Sequence, residues 1–340
     1  MKKVFITGES GTIPMAMQRL AKANGLEVIN TQFEDNFLTN QKTHQSFKVR
    51  KPEIDFLNRD FLLNYKDLWE QVDLIIHSGA YVGTDFCSSE PEMAIKTNVQ
   101  GTMNIVDICN KYSISLVYFS TTAIFDPSDY SKLRPMTETT RINPQTLYGI
   151  TKYTGELIVQ RLCKTKSLVV RPVFGFGDYP EDLHSALTKI IYVIYRNLKG
   201  KETNLTVLLD KNIEKSYTRV ENIAATVLHF INDDINDINL INVGEHHNTA
   251  LNWHYMLELI VAQFCKRNLC SQDEVRAIFM KQITFVPGKD YLHYHNLNNH
   301  KLEKFGYDLV SLKDYISLEN GISLTLDSVI KNIEQEPYWL

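Results

Sequence analysis

The run Val4-Phe5-Ile6 passes directly into Thr7-Gly8-Glu9-Ser10-Gly11-Thr12-Ile13-Pro14, and helical spacing follows from Ile13 to Ala23. No other feature constrains the fold as much. A strand whose consecutive residues are all apolar needs cover on both faces, and a parallel sheet between two helical layers supplies it. Runs of the same kind recur at Leu26-Glu27-Val28-Ile29-Asn30, Asp73-Leu74-Ile75-Ile76-His77, Ser115-Leu116-Val117-Tyr118-Phe119 and Ser167-Leu168-Val169-Val170. A long helical pattern, Pro91 to Tyr112, lies between the third and the fourth run. The expected class is therefore α/β, with a doubly wound parallel sheet.

The second half is less regular. Leu183–Leu198, Ile223–Ile231 and Trp253–Arg267 read as helices, whereas Thr284–Asn299 reads as loop and short strand. A length of 340 residues allows one large domain or two coupled ones, and no linker or repeat separates the halves. Hydrophobic residues at 44% and charged residues at 22% are ordinary for a globular chain, which argues against disorder. No apolar stretch is long enough to span a membrane. The glycine turn comes too early for a signal peptide.

The five cysteines, Cys87, Cys109, Cys163, Cys265 and Cys270, are odd in number and form no CxxC pair. Reduced thiols and a cytoplasmic location are expected. Lys and Arg total 36 against 40 for Asp and Glu, a net charge of -4 without a basic block, so no nucleic-acid partner is expected.

Glycines between a strand and a helix let backbone N–H groups approach a pyrophosphate at the positive helix end. Gly8, Ser10, Gly11, Thr12 and Ile13 are the candidates, with Pro14 where a third glycine is usual. Asn30 ends the second strand, where an acidic residue commonly holds the adenosine ribose. Asn cannot neutralise a 2′-phosphate, and no Arg or Lys occurs in Thr31-Gln32-Phe33-Glu34-Asp35, so NAD(H) is favoured over NADP(H). Tyr148 and Lys152 are four residues apart, on one face if helical. A neighbouring ammonium favours phenolate and suits Tyr148 to general acid–base work. Ser120-Thr121-Thr122 ends a strand at the carboxyl edge, where ligands bind in such sheets.

Taken in order, these motifs resemble the extended short-chain dehydrogenases/reductases that act on nucleotide sugars. Thr7-Gly8 and Gly11 resemble the cofactor turn, Arg59-Asp60-Phe61 the adenine segment, and His77-Ser78-Gly79-Ala80-Tyr81 the run beside the nicotinamide ribose. Asn98-Val99-Gln100-Gly101-Thr102-Met103-Asn104 is similar to the family's NVxGTxN helix. Arg171-Pro172 and Tyr217-Thr218-Arg219-Val220-Glu221-Asn222 are similar to segments on the substrate side.

The resemblance implies a Rossmann-type domain over 1–171, with 216–244 returning to it. It implies a smaller mixed α/β domain over 172–215 and 245–340 for a nucleotide-diphosphate sugar. It also implies Tyr148, Lys152 and Thr121 as catalytic residues. Cofactor contacts extend to Asp60, Phe61, Gly79, Ala80, Tyr81, Asn98 and Ser120, and substrate contacts to Thr121, Thr122, Phe174 and Lys215.

A 4,6-dehydratase would carry an acidic pair where Thr122 and Ala123 stand, so dehydration is not expected. Ser120-Thr121-Thr122-Ala123-Ile124-Phe125-Asp126 and Ala80–Cys87 are similar to the dTDP-4-dehydrorhamnose reductase group. Phe174 stands where that group has an aromatic and many epimerases have Asn. Gly288-Lys289-Asp290 is faintly similar to the substrate loop of epimerases and dehydratases. The leading expectation is 4-keto reduction. An NAD-retaining 4-epimerase is the alternative, and a non-catalytic dinucleotide-binding subunit the third. His246, His247, His293, His295 and His300 lack the spacing of a metal site, and none is expected. The resemblance further implies a homodimer through the helices around Pro91–Tyr112 and Thr146–Leu162, without a membrane.

Overall fold

A computed structural model of the chain describes residues 2–8, 11–29, 33–39, 46–52, 55–126, 136–177, 185–201, 207–210, 214–232, 239–244, 251–286, 294–295, 301, 307 and 315–335. Its centre is a six-stranded parallel sheet. The strands are β1 (Lys3–Thr7), β2 (Glu27–Ile29), β5 (Leu74–His77), β6 (Ser115–Phe119), β7 (Ser167–Pro172) and β12 (Leu240–Val243). Their order is β12-β7-β6-β5-β1-β2, with every pair parallel. This is the Rossmann-type α/β arrangement that the apolar runs imply. β12 was not foreseen as a strand, and it adds an edge beyond β7.

Alternation along each strand assigns its two faces. Val4, Ile6, Leu74, Ile76, Val117, Phe119, Leu168 and Val170 join one core cluster with residues of α1 (Thr12–Ala23) and α9 (Val220–Asn232). Phe5, Ile75, Leu116, Tyr118 and Val169 join another with α6 (Gly101–Tyr112) and α7 (Leu147–Leu162). The single helix expected from Pro91 to Tyr112 is three pieces: α5 (Pro91–Ile95), a π-helical turn at Lys96–Gln100, and α6. Wide turns of this kind re-aim side chains and recur at functional sites.

Between β2 and β5 lie an antiparallel hairpin, β3 (Phe33–Thr39) with β4 (Ser46–Pro52), and the short helices α2 (Arg59–Leu63) and α3 (Lys66–Trp69). The second lobe packs α8 (Ala186–Leu198), α10 (Trp253–Lys266), α11 (Gln272–Gln282) and the helix Leu318–Gln335 around its own apolar cluster. Three small sheets flank them. β8 (Phe174–Phe176) pairs with β11 (Tyr217–Arg219), β9 (Val207–Asp210) with β14 (Ile283–Val286), and β10 (Glu214–Lys215) with β13 (Leu251–Asn252) and β15 (Tyr294–His295). Thr284–Asn299 thus contributes β14 and β15 to two different sheets. No described helix is long and apolar enough to cross a membrane.

Candidate active site

Tyr148 lies in the first turn of α7. Thr146 caps that turn, its hydroxyl oxygen accepting the Gly149 N–H at 3.1 Å. The turn presses against the short 3-10 segment Thr122–Ile124, since a Cβ on Gly149 would stand 2.4 Å from the Ala123 carbonyl oxygen. This close approach brings the end of β6 to Tyr148. The Thr121 side chain neighbours the phenol and favours its ionised form, and Thr121 Oγ1 accepts the Ala123 N–H at 3.2 Å. Thr121 is half-buried, whereas Thr122 is buried.

Lys152 follows one turn later and is buried. Its Nζ lies 4.3 Å from the centroid of the Tyr118 ring, and the Tyr118 hydroxyl donates to the Lys152 carbonyl at 3.1 Å. The expected lowering of the phenol by this ammonium is not what the protein shows. Burial dominates and pushes Tyr148 up to about 12, with the Thr121 hydrogen bond opposing it and the Cys87 thiol adding to it. Burial likewise pulls Lys152 down to about 7, and the Glu156 carboxylate acts the other way. At neutral pH Tyr148 is therefore protonated, the state of a proton donor.

The glycine turn faces this pair from β1. Gly8 has φ +75°, and a Cβ there would meet Gly79 Cα at 2.6 Å, so the loops after β1 and β5 need glycine on both sides. Gly11 caps α1 without a side-chain partner, and the first turn holds no acidic residue. The N-cap residue of this twelve-residue helix thus offers its positive end no side-chain oxygen. Pro14 is buried in that turn, 3.2 Å from where a Gly11 Cβ would lie. Thr12 and Ile13 are half-buried beside it, and Ser10 falls outside the described residues.

Asn98, aimed by the π-helical turn, ties the third loop. Its Oδ1 accepts the Tyr81 N–H at 2.7 Å, and its Nδ2 donates to the Tyr81 carbonyl and to Thr151 Oγ1, both at 3.0 Å. The Tyr81 backbone is thereby tied to Thr151, which stands on α7 between Tyr148 and Lys152. Ser120 Oγ is buried and has no hydrogen-bond partner among the described residues. The Gly8–Gly79 approach, the uncapped helix end and this orphaned hydroxyl fit a bound dinucleotide.

Asp60 is exposed on α2, and the Phe61 side chain is outside the described residues. Phe56 packs between the loop after β5 and α6, where its ring would meet a Cβ on Gly79 at 2.8 Å and one on Gly101 at 2.6 Å. Its carbonyl accepts from Asn104 at 3.0 Å, and Asp55 Oδ1 accepts the Leu57 N–H at 2.9 Å. Asp55-Phe56 is a second acidic–aromatic pair, just upstream of Asp60-Phe61.

Phe174 lies on β8 opposite Tyr217, and Lys215 on β10 opposite Leu251 and His295. Neither side chain is within the described residues, nor are Asn30, His246, His247, His293, His300 or residues 288–290. Arg171 and Arg219, expected on the substrate side, are buried in ion pairs with Glu156 and Glu221. Among the described residues no cluster of His, Cys, Asp and Glu is arranged to hold a metal.

A parallel sheet with a glycine turn, a strand-end hydroxyl and a Tyr-Lys helix at its carboxyl edge defines the class of extended short-chain dehydrogenases/reductases. The chain belongs to the RmlD substrate binding domain family, whose model matches residues 1–307.

Among solved structures, UDP-glucose 4-epimerase of Thermotoga maritima with UDP-glucose is 19% identical with a TM-score of 0.74, covering 97% of this chain and 99% of that one. Thermus thermophilus UDP-glucose 4-epimerase with NAD is 18% identical with a TM-score of 0.70, covering 97% and 99%. dTDP-4-dehydrorhamnose reductase of Bacillus anthracis with NADP is 19% identical with a TM-score of 0.65, covering 95% and 97%. At these identities the likeness is one of fold.

Proposed function

We propose that the protein is an NAD(P)-dependent oxidoreductase of nucleotide-diphosphate sugars that reduces a keto group at a ring carbon, C4 in the leading reading. The observation that carries this is Tyr148, half-buried and held protonated by desolvation, beside Thr121 and one turn from the buried Lys152. Reduction of a ketone needs a proton donor beside the carbon that receives hydride, and the bound nicotinamide supplies that hydride. Tyr148 gives its proton to the sugar oxygen, which Thr121 orients. Lys152 stabilises the phenolate that is left and, with its proton held near neutrality, helps restore the phenol.

In this reading Gly8, Ser10, Gly11, Thr12 and Ile13 hold the pyrophosphate. Gly79, Ala80, Tyr81, Asn98 and Ser120 hold the nicotinamide half, with Tyr148 and Lys152. Asn30, Asp60 and Phe61, joined by Asp55 and Phe56, belong to the adenosine side, where NAD(H) is favoured over NADP(H). Thr121, Thr122, Phe174 and Lys215 serve the sugar nucleotide. The protein works as a homodimer in the cytoplasm. What supports the dimer is that Val82, Phe86, Met93, Ile95, Met103, Ile150, Leu157 and Leu162 are exposed on and around α4 (Thr84–Ser89), α5, α6 and α7.

The higher TM-score with the Thermotoga epimerase keeps 4-epimerisation as the second reading. Both are tested by supplying 4-deuterated NADH or NADPH with 4-keto sugars linked to UDP, dTDP, GDP and CDP. Reduction is expected to consume one reduced cofactor per sugar and to place deuterium on the product. A protein that purifies with tightly held NAD and interconverts two sugars without taking up label is the epimerase. Turnover of neither kind overturns the proposal.

A further inference from the structure

Lys152 is buried, yet among the described residues no carboxylate lies within ion-pair distance of it. Its near contact is the face of the Tyr118 ring. One turn along the same helix, Glu156 is fully buried, and both its oxygens are engaged by Arg171, through Nε at 2.9 Å and Nη2 at 2.7 Å. Arg171 is itself buried, donates from Nη1 to the Glu138 carbonyl at 3.3 Å, and has its guanidinium 5.2 Å from the Phe125 ring centroid. The Glu138 carboxylate in turn accepts the Asn242 N–H at 2.8 Å, which joins the clamp to β12.

A buried ion pair is weak as a device for stability, since apolar residues of like volume usually serve as well. Its position suggests another use. We infer that the Glu156–Arg171 pair acts for Lys152: Glu156 is the fixed counter-charge that keeps the Lys152 ammonium charged inside the fold, and Arg171 holds that carboxylate in place. The inference rests on the reading of Tyr148 and Lys152 given above, and makes Glu156 and Arg171 positioning residues.

Burial draws the proton off Lys152, and the Glu156 charge is what opposes that loss. The other groups set about Lys152 cannot replace it. His77 on β5 is neutral, Tyr118 on β6 and Tyr148 on α7 are phenols raised by burial, and Cys87 on α4, beside Tyr148, is a raised thiol.

The test is the titration of Lys152 itself, followed by NMR of protein carrying 15Nζ-lysine, with the resonance assigned by its loss in Lys152→Arg. The Glu156→Gln variant and the paired Glu156→Gln/Arg171→Met variant are compared with the native chain. The paired variant removes both members of the Glu156–Arg171 pair, so that neither is left buried without the other, and guards against a failure to fold. In Glu156→Gln the Lys152 midpoint is expected to fall by about one pH unit, the low end of the effect of a nearby opposite charge. In the paired variant it is expected to fall by a smaller amount, since the Arg171 charge is removed as well. The alkaline limb of kcat/KM should fall with it, and Glu156→Asp, which keeps the charge, should hold most of the native midpoint. A folded paired variant with an unmoved midpoint and pH profile overturns the inference. Should Tyr148→Phe keep normal turnover, the catalytic reading fails while the titration still decides the electrostatic one.

Discussion

Thr7 and His77 occupy paired positions on β1 and β5, and Thr7 Oγ1 lies 2.8 Å from His77 Nδ1. The hydroxyl oxygen already accepts the Gly79 N–H at 3.0 Å, so its own proton goes to the ring. On the other side, His77 Nε2 stands 3.2 Å from Thr102 Oγ1, whose proton is given to the Asn98 carbonyl at 2.7 Å. Both hydroxyl protons being committed, His77 donates from Nε2 and accepts at Nδ1, the neutral tautomer. Asn98 continues the chain to Thr151, and Thr151 donates to the Tyr148 carbonyl at 2.9 Å. Directed hydrogen bonds therefore run from the glycine turn to the backbone of the proposed proton donor.

A neutral buried histidine makes stability depend on pH. Burial, with the Lys152 charge second, lowers His77 from 6.5 to about 3. Below pH 6.5 the unfolded chain takes up a proton that the folded chain refuses. Stability should be highest above that value and fall as pH drops towards 3, by up to about 1.4 kcal/mol per pH unit from this group. Urea unfolding between pH 5 and 8 checks this. His77→Gln should flatten the slope while lowering stability at pH 8, and an unchanged slope would remove His77 as its source.

Replacing Tyr148 by Phe keeps the ring and removes the proposed proton donor. Turnover should fall by about two to four orders of magnitude, with cofactor affinity retained in a fluorescence titration. Thr121→Val removes the hydroxyl that orients the oxygen, and about a hundredfold loss is expected, as for removal of one preorganised donor. Losses in KM alone would place both residues in binding and not in proton transfer.

Gly155 shows how the helix is seated. A Cβ there would stand 2.1 Å from the Tyr118 hydroxyl, which itself donates to the Lys152 carbonyl. Gly155→Ala must displace Tyr118 or α7, and about 2 kcal/mol of destabilisation is expected from overpacking. Turnover should drop more than a simple surface change allows, since Tyr118 is also the near contact of Lys152. Chemical denaturation and steady-state rates together measure this.

The central sheet was legible because its strands are apolar at successive positions, a pattern that survives without tertiary context. β12 was missed because Leu240–Val243 is short and lies far along the chain from the strand it pairs with. The break in the Pro91–Tyr112 pattern was hidden since a π-helical turn keeps nearly the same apolar spacing. Thr121, Tyr148 and Lys152 were readable as motifs, but their proton states were not. Those depend on burial and on Glu156, Arg171 and Cys87, which the motif does not mark. The hairpin was likewise not legible, since its register, Glu34 opposite Lys51 and Asp35 opposite Arg50, joins two stretches that lack the apolar run marking the central strands.

The exposed apolar residues of α5, α6 and α7 lead to the last prediction. Eight of the eleven large hydrophobic residues exposed among those described lie between Val82 and Leu162. Apolar surface gathered in this way on a monomer is costly in water, and a second copy of the chain would cover it. Sedimentation equilibrium should therefore find a dimer at micromolar concentration. Met103→Glu combined with Leu157→Glu, on α6 and α7, places charges on side chains that are 39% and 37% exposed, so the folded subunit should tolerate them. This variant should sediment as a monomer with an unchanged far-UV spectrum. A native chain that is monomeric at every concentration, or a double variant that stays dimeric, would assign the exposed apolar residues to something other than self-association.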